Sequence, residues 1–274
     1  MTLDFEPGPP PVPDRQLFHW NGRYKMELCA VGQQWLMTSA FDGAFLIDEV
    51  QGSIRILAQN HEDPAWLDVF MRRVLPRVAI LYGATALHAA AAALDGRALL
   101  LLGKSGTGKS TTSAVLGASG WDVLSDDISI LWDPQAPKVA PATTGICVWP
   151  DSRLALGLDD ARCMPMPGYP GKTRFVPGKE RNTALVPLHA LVFLESGVAE
   201  APSLSPISGA EAMTRASHHR IRFNPADPDG KETHEAFAAL RAIASTTRCY
   251  RLAAPRDYGM LPSVIELLRE TLEP

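Results

Sequence analysis

An eight-residue stretch beginning at Gly103 combines glycines, lysines, serines and a threonine in a spacing that suits the binding of phosphate groups. It reads GKSGTGKS and fits the pattern G-x-x-x-x-G-K-[ST]. Glycines let the backbone wrap closely around an anion, and successive amides of such a loop point inward. We expect Lys109 to reach the β- and γ-phosphates of ATP and the Ser110 hydroxyl to ligate Mg²⁺. The predicted nucleotide-contacting residues are Gly103, Lys104, Ser105, Gly106, Thr107, Gly108, Lys109, Ser110 and Thr111.

The segments on either side of this loop have the order that phosphate binding requires. An apolar strand, ALLLL, precedes the loop, and a helix is predicted to follow over residues 109–116, before Gly117. The amino end of that helix adds the positive end of its dipole. A glycine-rich turn with an incidental lysine would not need this order, so the context favours a nucleotide site.

Two adjacent acids, Asp126 and Asp127, end the next predicted strand and are expected to lie beside the loop. A carboxylate there can hold Mg²⁺ directly or through water, and its neighbour can accept the proton of an acceptor hydroxyl. Spacing alone also allows an ordinary solvated Asp-Asp turn.

His88 precedes a predicted hairpin turned at Asp95-Gly96. This hairpin would bring His88 near the loop, where its ring could orient a carboxylate. A histidine in an alanine run is equally a candidate core residue.

A basic segment, PGYPGKTRFVPGKER, offers cations that could neutralise the transferring phosphoryl group. Its candidates are Lys172, Arg174, Lys179 and Arg181, of which Lys172 is the first choice. Charge runs are also common in plain solvated loops.

Other residues with reactive side chains lack partners at useful spacing. The sequence His218-His219-Arg220 is interpreted as surface and Cys163 as core, because no metal-ligand spacing accompanies them.

The rest of the chain predicts three regions. Residues 1–16, with five prolines, are predicted to form a disordered lead. Residues 17–82 are predicted to form a β-rich region with one helix over 63–82, capped by Asp63 and kinked or ended by Pro76. Residues 83–274 are predicted to form a P-loop kinase-like catalytic domain, with LVPLHALVFLES as a buried strand and three later helices.

Composition argues against several classes of function. The chain has 274 residues, a net charge of −4 and a pI near 6.0, so nothing electrostatic favours nucleic acid or an anionic membrane as partner. Four scattered cysteines without a CxxC pair fit reduced thiols. The amino-terminal segment lacks the basic start of a signal peptide, and no uncharged apolar run reaches the ~20 residues of a membrane span. We therefore expect a cytoplasmic protein.

The segments LHAAAAALDGRALLLLGKSGTGKST and WDVLSDD together resemble the catalytic domain of bacterial HPr kinase/phosphorylase. The likeness is concentrated in residues 80–132 and is closer to stand-alone HPr kinase-related proteins, which include kinases of lasso-peptide precursors. It implies an α/β fold, namely a P-loop domain with a mixed sheet of the HPr kinase and phosphoenolpyruvate carboxykinase type. It also implies that Asp126 deprotonates an acceptor serine, that Asp127 helps to hold Mg²⁺, and that His88 is an active-site histidine.

Two departures from that family bear on the acceptor. The separate amino-terminal domain of the regulator is replaced by a different pattern, and the segment that contacts HPr is not recognisable. The expected acceptor is therefore a serine on a peptide or protein, such as a natural-product precursor peptide, and the family's hexameric habit implies a homo-oligomer. A small-molecule kinase, a P-loop ATPase switch without phosphorylated product, and a silent nucleotide binder remain alternatives.

Overall fold

The computed structural model describes residues 1–21, 25–40, 43–57, 64–166, 171–177, 183–197, 199–227 and 230–273. The described strands are β1 (Thr2–Phe5), β2 (Arg15–Trp20), β3 (Met26–Val31), β4 (Gln34–Thr38), β5 (Ala44–Asp48), β6 (Ser53–Ile56), β7 (Thr85–Leu87), β8 (Ala89–Leu94), β9 (Arg97–Leu102), β10 (Asp122–Ser125), β11 (Ser129–Trp132), β12 (Lys138–Ala140), β13 (Ile146–Val148), β14 (Cys163–Pro165), β15 (Thr173–Phe175), β16 (Val186–Ser196), β17 (Ser203–Pro206) and β18 (Arg248–Ala254). The described α-helices are α1 (Pro64–Val69), α2 (Leu75–Leu81), α3 (Lys109–Ala118), α4 (Pro150–Ala155), α5 (Gly209–Ser217), α6 (Lys231–Thr246) and α7 (Leu261–Glu270).

The amino-terminal strands form one sheet in the order β1-β6-β5-β4-β3-β2. The prediction of a disordered lead over residues 1–16 is wrong at both ends, because β1 occupies Thr2–Phe5 and β2 begins at Arg15. Strand β1 pairs in parallel with β6, with Thr2 opposite Ser53. The prolines begin only at Pro7, so the residues before them keep the amide groups that a strand needs.

One helical stretch joins this sheet to the rest of the molecule. It runs through α1, a π-helical turn (Phe70–Val74) and α2. Pro76 does not end it, since Pro76 stands in the first turn of α2, where a missing amide is tolerated. The wider π turn lies directly before it, a feature often found at functional sites. The predicted cap Asp63 lies outside the described residues.

The larger sheet carries strand β9 at its centre. β9 pairs antiparallel with β8 and parallel with β16, and β16 pairs in parallel with β18. Side chains alternate between two buried faces, as a strand with a period of two requires. Leu100 and Leu102 pack toward α5 and α6, whereas Leu99 and Leu101 pack toward α3 and α7.

The predicted hairpin and the predicted buried strand are both present. Asp95 and Gly96 have φ angles of 50° and 75°, and they turn β8 into β9. The buried strand is β16, and the three later helices are α5, α6 and α7.

The predicted α/β fold class with a mixed sheet is confirmed. None of the described helices is both long and apolar enough to span a bilayer.

Candidate active site

The loop between β9 and α3 has the shape that its glycines allow. Gly106 and Gly108 have φ angles of 82° and 95°, which side chains rarely adopt. A Cβ on Gly103 would lie 2.7 Å from Oγ1 of Thr107 and 3.1 Å from the carbonyl oxygen of Leu194. No side chain caps the amino end of α3, so its first amides face the space above the loop. The loop therefore forms an open cradle of backbone N–H groups suited to an anion.

Lys109 crosses this cradle from the first position of α3. Its Nζ donates to the carbonyl oxygens of Gly103, at 2.7 Å, and Lys104, at 3.3 Å. The side chain is only 7% exposed, and burial lowers the pKa of Lys109 while the carboxylates of Asp127 and Asp126 oppose that shift. A cation so placed can bind a phosphate with little further loss of hydration.

Asp126 follows β10 and is buried beside the loop. Its Oδ2 accepts from the backbone N–H of Cys147 at 2.8 Å and lies 3.5 Å from Nη2 of Arg72. Burial raises the pKa of Asp126, against the opposing charge of Arg72. The Ser110 hydroxyl lies close enough to favour the charged form, but no described group meets Oδ1 in good hydrogen-bonding geometry. Asp126 thus lines the cavity, and its buried Oδ1 accepts no hydrogen bond of good geometry from the described residues.

Asp127 contacts two guanidinium groups and an imidazole. Its Oδ2 lies 3.0 Å from Nη1 of Arg73 and 3.5 Å from Nη1 of Arg72, and its Oδ1 lies 3.3 Å from Nδ1 of His88. Burial alone would raise the pKa of Asp127, but the hydrogen bond from His88 and the charges of Arg73 and Arg72 hold that pKa well below its usual range. Asp127 therefore stays ionised.

His88 stands at the break between β7 and β8, not within a strand as predicted. Its backbone N–H donates to the carbonyl oxygen of His219 at 2.7 Å, and an isolated bridge joins Leu87 to Arg220. These contacts turn the His88 ring toward Asp127, the second acid of the pair. His219, interpreted from the sequence as a surface residue, is half-buried because its segment forms this bridge.

The electrostatic environment of His219 is consistent with its half-buried position. Burial, together with the charges of Lys109, His88 and His218, lowers the pKa of His219 to about 4. Cys163, interpreted as core, is only partly buried in β14.

Sequence reasoning missed Arg72 and Arg73, which reach the acid pair from the π-helical turn. Nε of Arg72 also donates to Oδ1 of Asp68 at 3.1 Å, and its guanidinium contacts Sγ of Cys147. Two adjacent arginines inside a mostly apolar helix were the available signal, because a charged side chain is rarely buried unless it is paired.

Arg174 occupies a different place from the one predicted. It is buried in β15 and donates to Asp68, so it supports the cavity wall rather than facing a phosphate. Lys179 and Arg181 lie outside the described residues. Asp68 thus joins two guanidinium groups, those of Arg72 and Arg174, and connects α1 to the strands beside Asp126.

Replacing Asp68 with asparagine should lower the free energy of unfolding by about 3 kcal/mol, because two buried guanidinium groups would lose their shared carboxylate. Urea denaturation measures this. Glu266→Gln is the matched control: its exposed pair with Arg269 spans 4.0 Å, so the change should stay within about 0.5 kcal/mol. A loss below about 1 kcal/mol in Asp68→Asn would show that the ion pairs of Asp68 contribute little.

The loop and the acid pair open onto one cavity of about 390 Å³. Its far wall includes Trp149, Ser152 and Tyr258. Lys172 also lines the cavity, with its Nζ 4.8 Å from the ring centroid of Trp149, and its charge helps to lower the pKa of Lys109. The structure thus brings together His88, Lys109, Ser110, Asp126, Asp127 and Lys172.

The oxygens around Ser110 fit a magnesium ion. Mg²⁺ is commonly held in proteins by one or two carboxylates together with substrate phosphates. The described residues contain no cluster of three or more His, Cys, Asp or Glu side chains that could hold a metal unaided. The Ser110 hydroxyl and the carboxylates of Asp126 and Asp127 are hard oxygen ligands facing the same space. The site therefore fits a metal that arrives with a nucleotide.

Comparison with known proteins gives little guidance. No protein family matches the chain, and no curated protein matches it. Among solved structures, the chain is similar to the HPr(Ser) kinase/phosphatase from Coxiella burnetii, with a TM-score of 0.35 and 13% identity, covering 68% of this chain and 94% of that chain. A likeness at this level leaves the activity to be argued from the cavity itself.

Proposed function

We propose that this protein is an ATP-dependent phosphotransferase that moves the γ-phosphoryl group to the hydroxyl of a serine in a peptide or protein. The observation that carries the proposal is the single cavity in which an amide cradle with Lys109 faces a pair of acids. Phosphoryl transfer needs positioning and charge stabilisation more than covalent chemistry, and these groups supply both.

The chain's own groups have distinct parts in this reaction. The loop amides and Lys109 hold the phosphates, and Lys172, which lines the same cavity, supplies a second ammonium group. Asp126 takes the proton of the acceptor hydroxyl on Oδ1, which accepts no hydrogen bond of good geometry from the described residues. The hydroxyl oxygen then forms the bond to the γ-phosphorus, while the bond to the β,γ-bridging oxygen breaks and ADP leaves. Ser110 and Asp127 would hold Mg²⁺, which neutralises charge on the phosphates when it is bound.

His88, Arg72 and Arg73 position the second acid. Their three contacts fix the Asp127 carboxylate and keep it ionised next to Asp126. Two adjacent carboxylates repel one another, and the guanidinium groups of Arg72 and Arg73 offset that repulsion. In this arrangement Asp127 is the fixed negative group and Asp126 is the neighbouring proton acceptor.

The acceptor is proposed from the resemblance of residues 80–132 to HPr kinase-related proteins, which phosphorylate serine. The test supplies γ-labelled ATP with the protein fraction or the metabolite fraction of the source cells. A labelled, protease-sensitive product that yields phosphoserine is expected. Label found only in small molecules would instead support a metabolite kinase.

One observation favours a second candidate, a nucleotide-dependent ATPase switch. Strand β16 lies next to β9 and runs parallel to it, and Glu195, the residue before its last, lines the cavity. Other P-loop NTPases use an acid outside the phosphate loop to help hold Mg²⁺. Here Oε1 of Glu195 lies 2.6 Å from Nη1 of Arg215, which engages the carboxylate. Phosphate release in the same assay, without any labelled acceptor, would favour this candidate.

A further inference from the structure

The cavity extends well beyond the groups that the transfer reaction uses. Its second end is lined by the turn that follows β18, from Pro255 to Tyr258, and by Leu261 and Val264 of α7. None of these residues belongs to the phosphate loop or to the acid pair.

The order of the strands determines which end of a nucleotide faces this turn. From the acids to the turn, the order is β10-β8-β9-β16-β18, and β10, β9, β16 and β18 all end at the same edge of the sheet. Four strand spacings of about 4.8 Å place the acids and the turn roughly 19 Å apart, with the phosphate loop between them. A nucleotide whose γ-phosphate faces the acids must therefore extend its nucleoside toward β18.

The Tyr258 side chain has the properties of a stacking surface. It is 42% exposed, although it is a large aromatic residue in a cavity. Its hydroxyl lies 3.2 Å from Oγ of Ser152, which lies 3.0 Å from Oγ1 of Thr111 in the first turn of α3. Oδ1 of Asp257 accepts from the N–H of Gly259 at 2.8 Å and fixes the turn. The ring is thus held in place and leaves a face open to the cavity.

We propose that Tyr258 forms the stacking wall for the base of a purine nucleotide, with Leu261 and Val264 as its apolar floor. Thr111 and Ser152 line the path from the phosphate loop to this wall. A fixed aromatic face binds a purine without a large loss of side-chain freedom, and its contact area grows with the size of the base. This inference rests on the proposed function, since it takes the direction of the nucleotide from the acid pair.

The test uses two probes of the full-length protein in calorimetric titrations: Mg-ATP, and inorganic tripolyphosphate, which has the phosphates but no base. Tyr258→Ala should weaken Mg-ATP binding about ten-fold or more and leave tripolyphosphate binding within about two-fold. Tyr258→Phe keeps the ring and should retain most of the Mg-ATP affinity. Tyr82→Ala is the matched control, because Tyr82 is 41% exposed and does not line the cavity.

Unchanged Mg-ATP affinity in Tyr258→Ala would overturn the inference while leaving the proposed function intact. Equal losses for both probes would also overturn it, since they would indicate a structural role for the tyrosine. A wild-type protein that binds neither probe would overturn both the inference and the nucleotide site on which it rests.

Discussion

Asp126→Asn is expected to slow phosphoryl transfer by about three orders of magnitude while Mg-ATP still binds within a few-fold. Asparagine has nearly the same shape and can still accept the hydrogen bond from the N–H of Cys147, so the loop should keep its position. It cannot take a proton at the oxygen that faces the acceptor. Single-turnover transfer of label from γ-labelled ATP, combined with titration of Mg-ATP, measures both quantities.

Asp127→Asn is the control that separates the two acids. It keeps the side-chain volume but leaves Arg72, Arg73 and His88 facing a neutral group. We expect it to weaken binding of Mn²⁺, used as a paramagnetic substitute for Mg²⁺, in the presence of nucleotide. Full transfer activity in Asp126→Asn would refute the role of the Asp126 carboxylate as the base. Loss of Mn²⁺ binding in Asp126→Asn, but not in Asp127→Asn, would exchange the two roles.

Sequence reasoning located the residues whose positions in the site are determined by the residues next to them in the chain. The loop and the turn at Asp95-Gly96 need particular backbone conformations, which glycine supplies at fixed positions. The acids follow the strand after the loop helix, so one local pattern predicts both the loop and the acids beside it. The roles of these residues stay predictions, whereas their convergence on one cavity is a structural fact.

The groups that sequence reasoning missed reach the site through tertiary packing. Arg72 contacts Asp126 across 54 positions of the chain, and Tyr258 contacts Ser152 across 106. No local period encodes such pairings. Strand β18 was missed for a related reason: its sequence, RCYRLAA, mixes arginines with apolar residues, and its place is set by β16 on one side and β17 on the other.

The disordered lead was predicted from composition, which averages over residues that behave differently. The prolines lie between β1 and β2, where they make a connection, while the four residues of β1 pair with β6. A proline cluster therefore predicted where strands are interrupted, not where structure begins. The pairing of Thr2 with Ser53 of β6, 51 positions away, orders the start of the chain.

Lys109→Met is expected to weaken Mg-ATP binding on the order of a hundred-fold and to weaken transfer at least as much. Methionine fills the buried space of the lysine stem but removes the ammonium that lies across the loop. The loss should therefore come from charge rather than from packing. Titration with Mg-ATP measures it, and thermal unfolding shows whether the fold survives. Lys138→Met, at an exposed lysine of β12, is the matched control.

The double variant Lys109→Met/Lys172→Met tests whether the two lysines act on the same phosphates. Their charges already interact, because Lys172 contributes to the lowered pKa of Lys109. If both ammonium groups bind one triphosphate, the two losses in binding free energy should not add, since neighbouring groups that share a ligand couple. Strict additivity of the two losses would place Lys172 outside the phosphate site. A Mg-ATP affinity of Lys109→Met within about three-fold of wild type would contradict the phosphate-binding role of Lys109, because removing a buried charge that holds a phosphate should cost much more binding free energy.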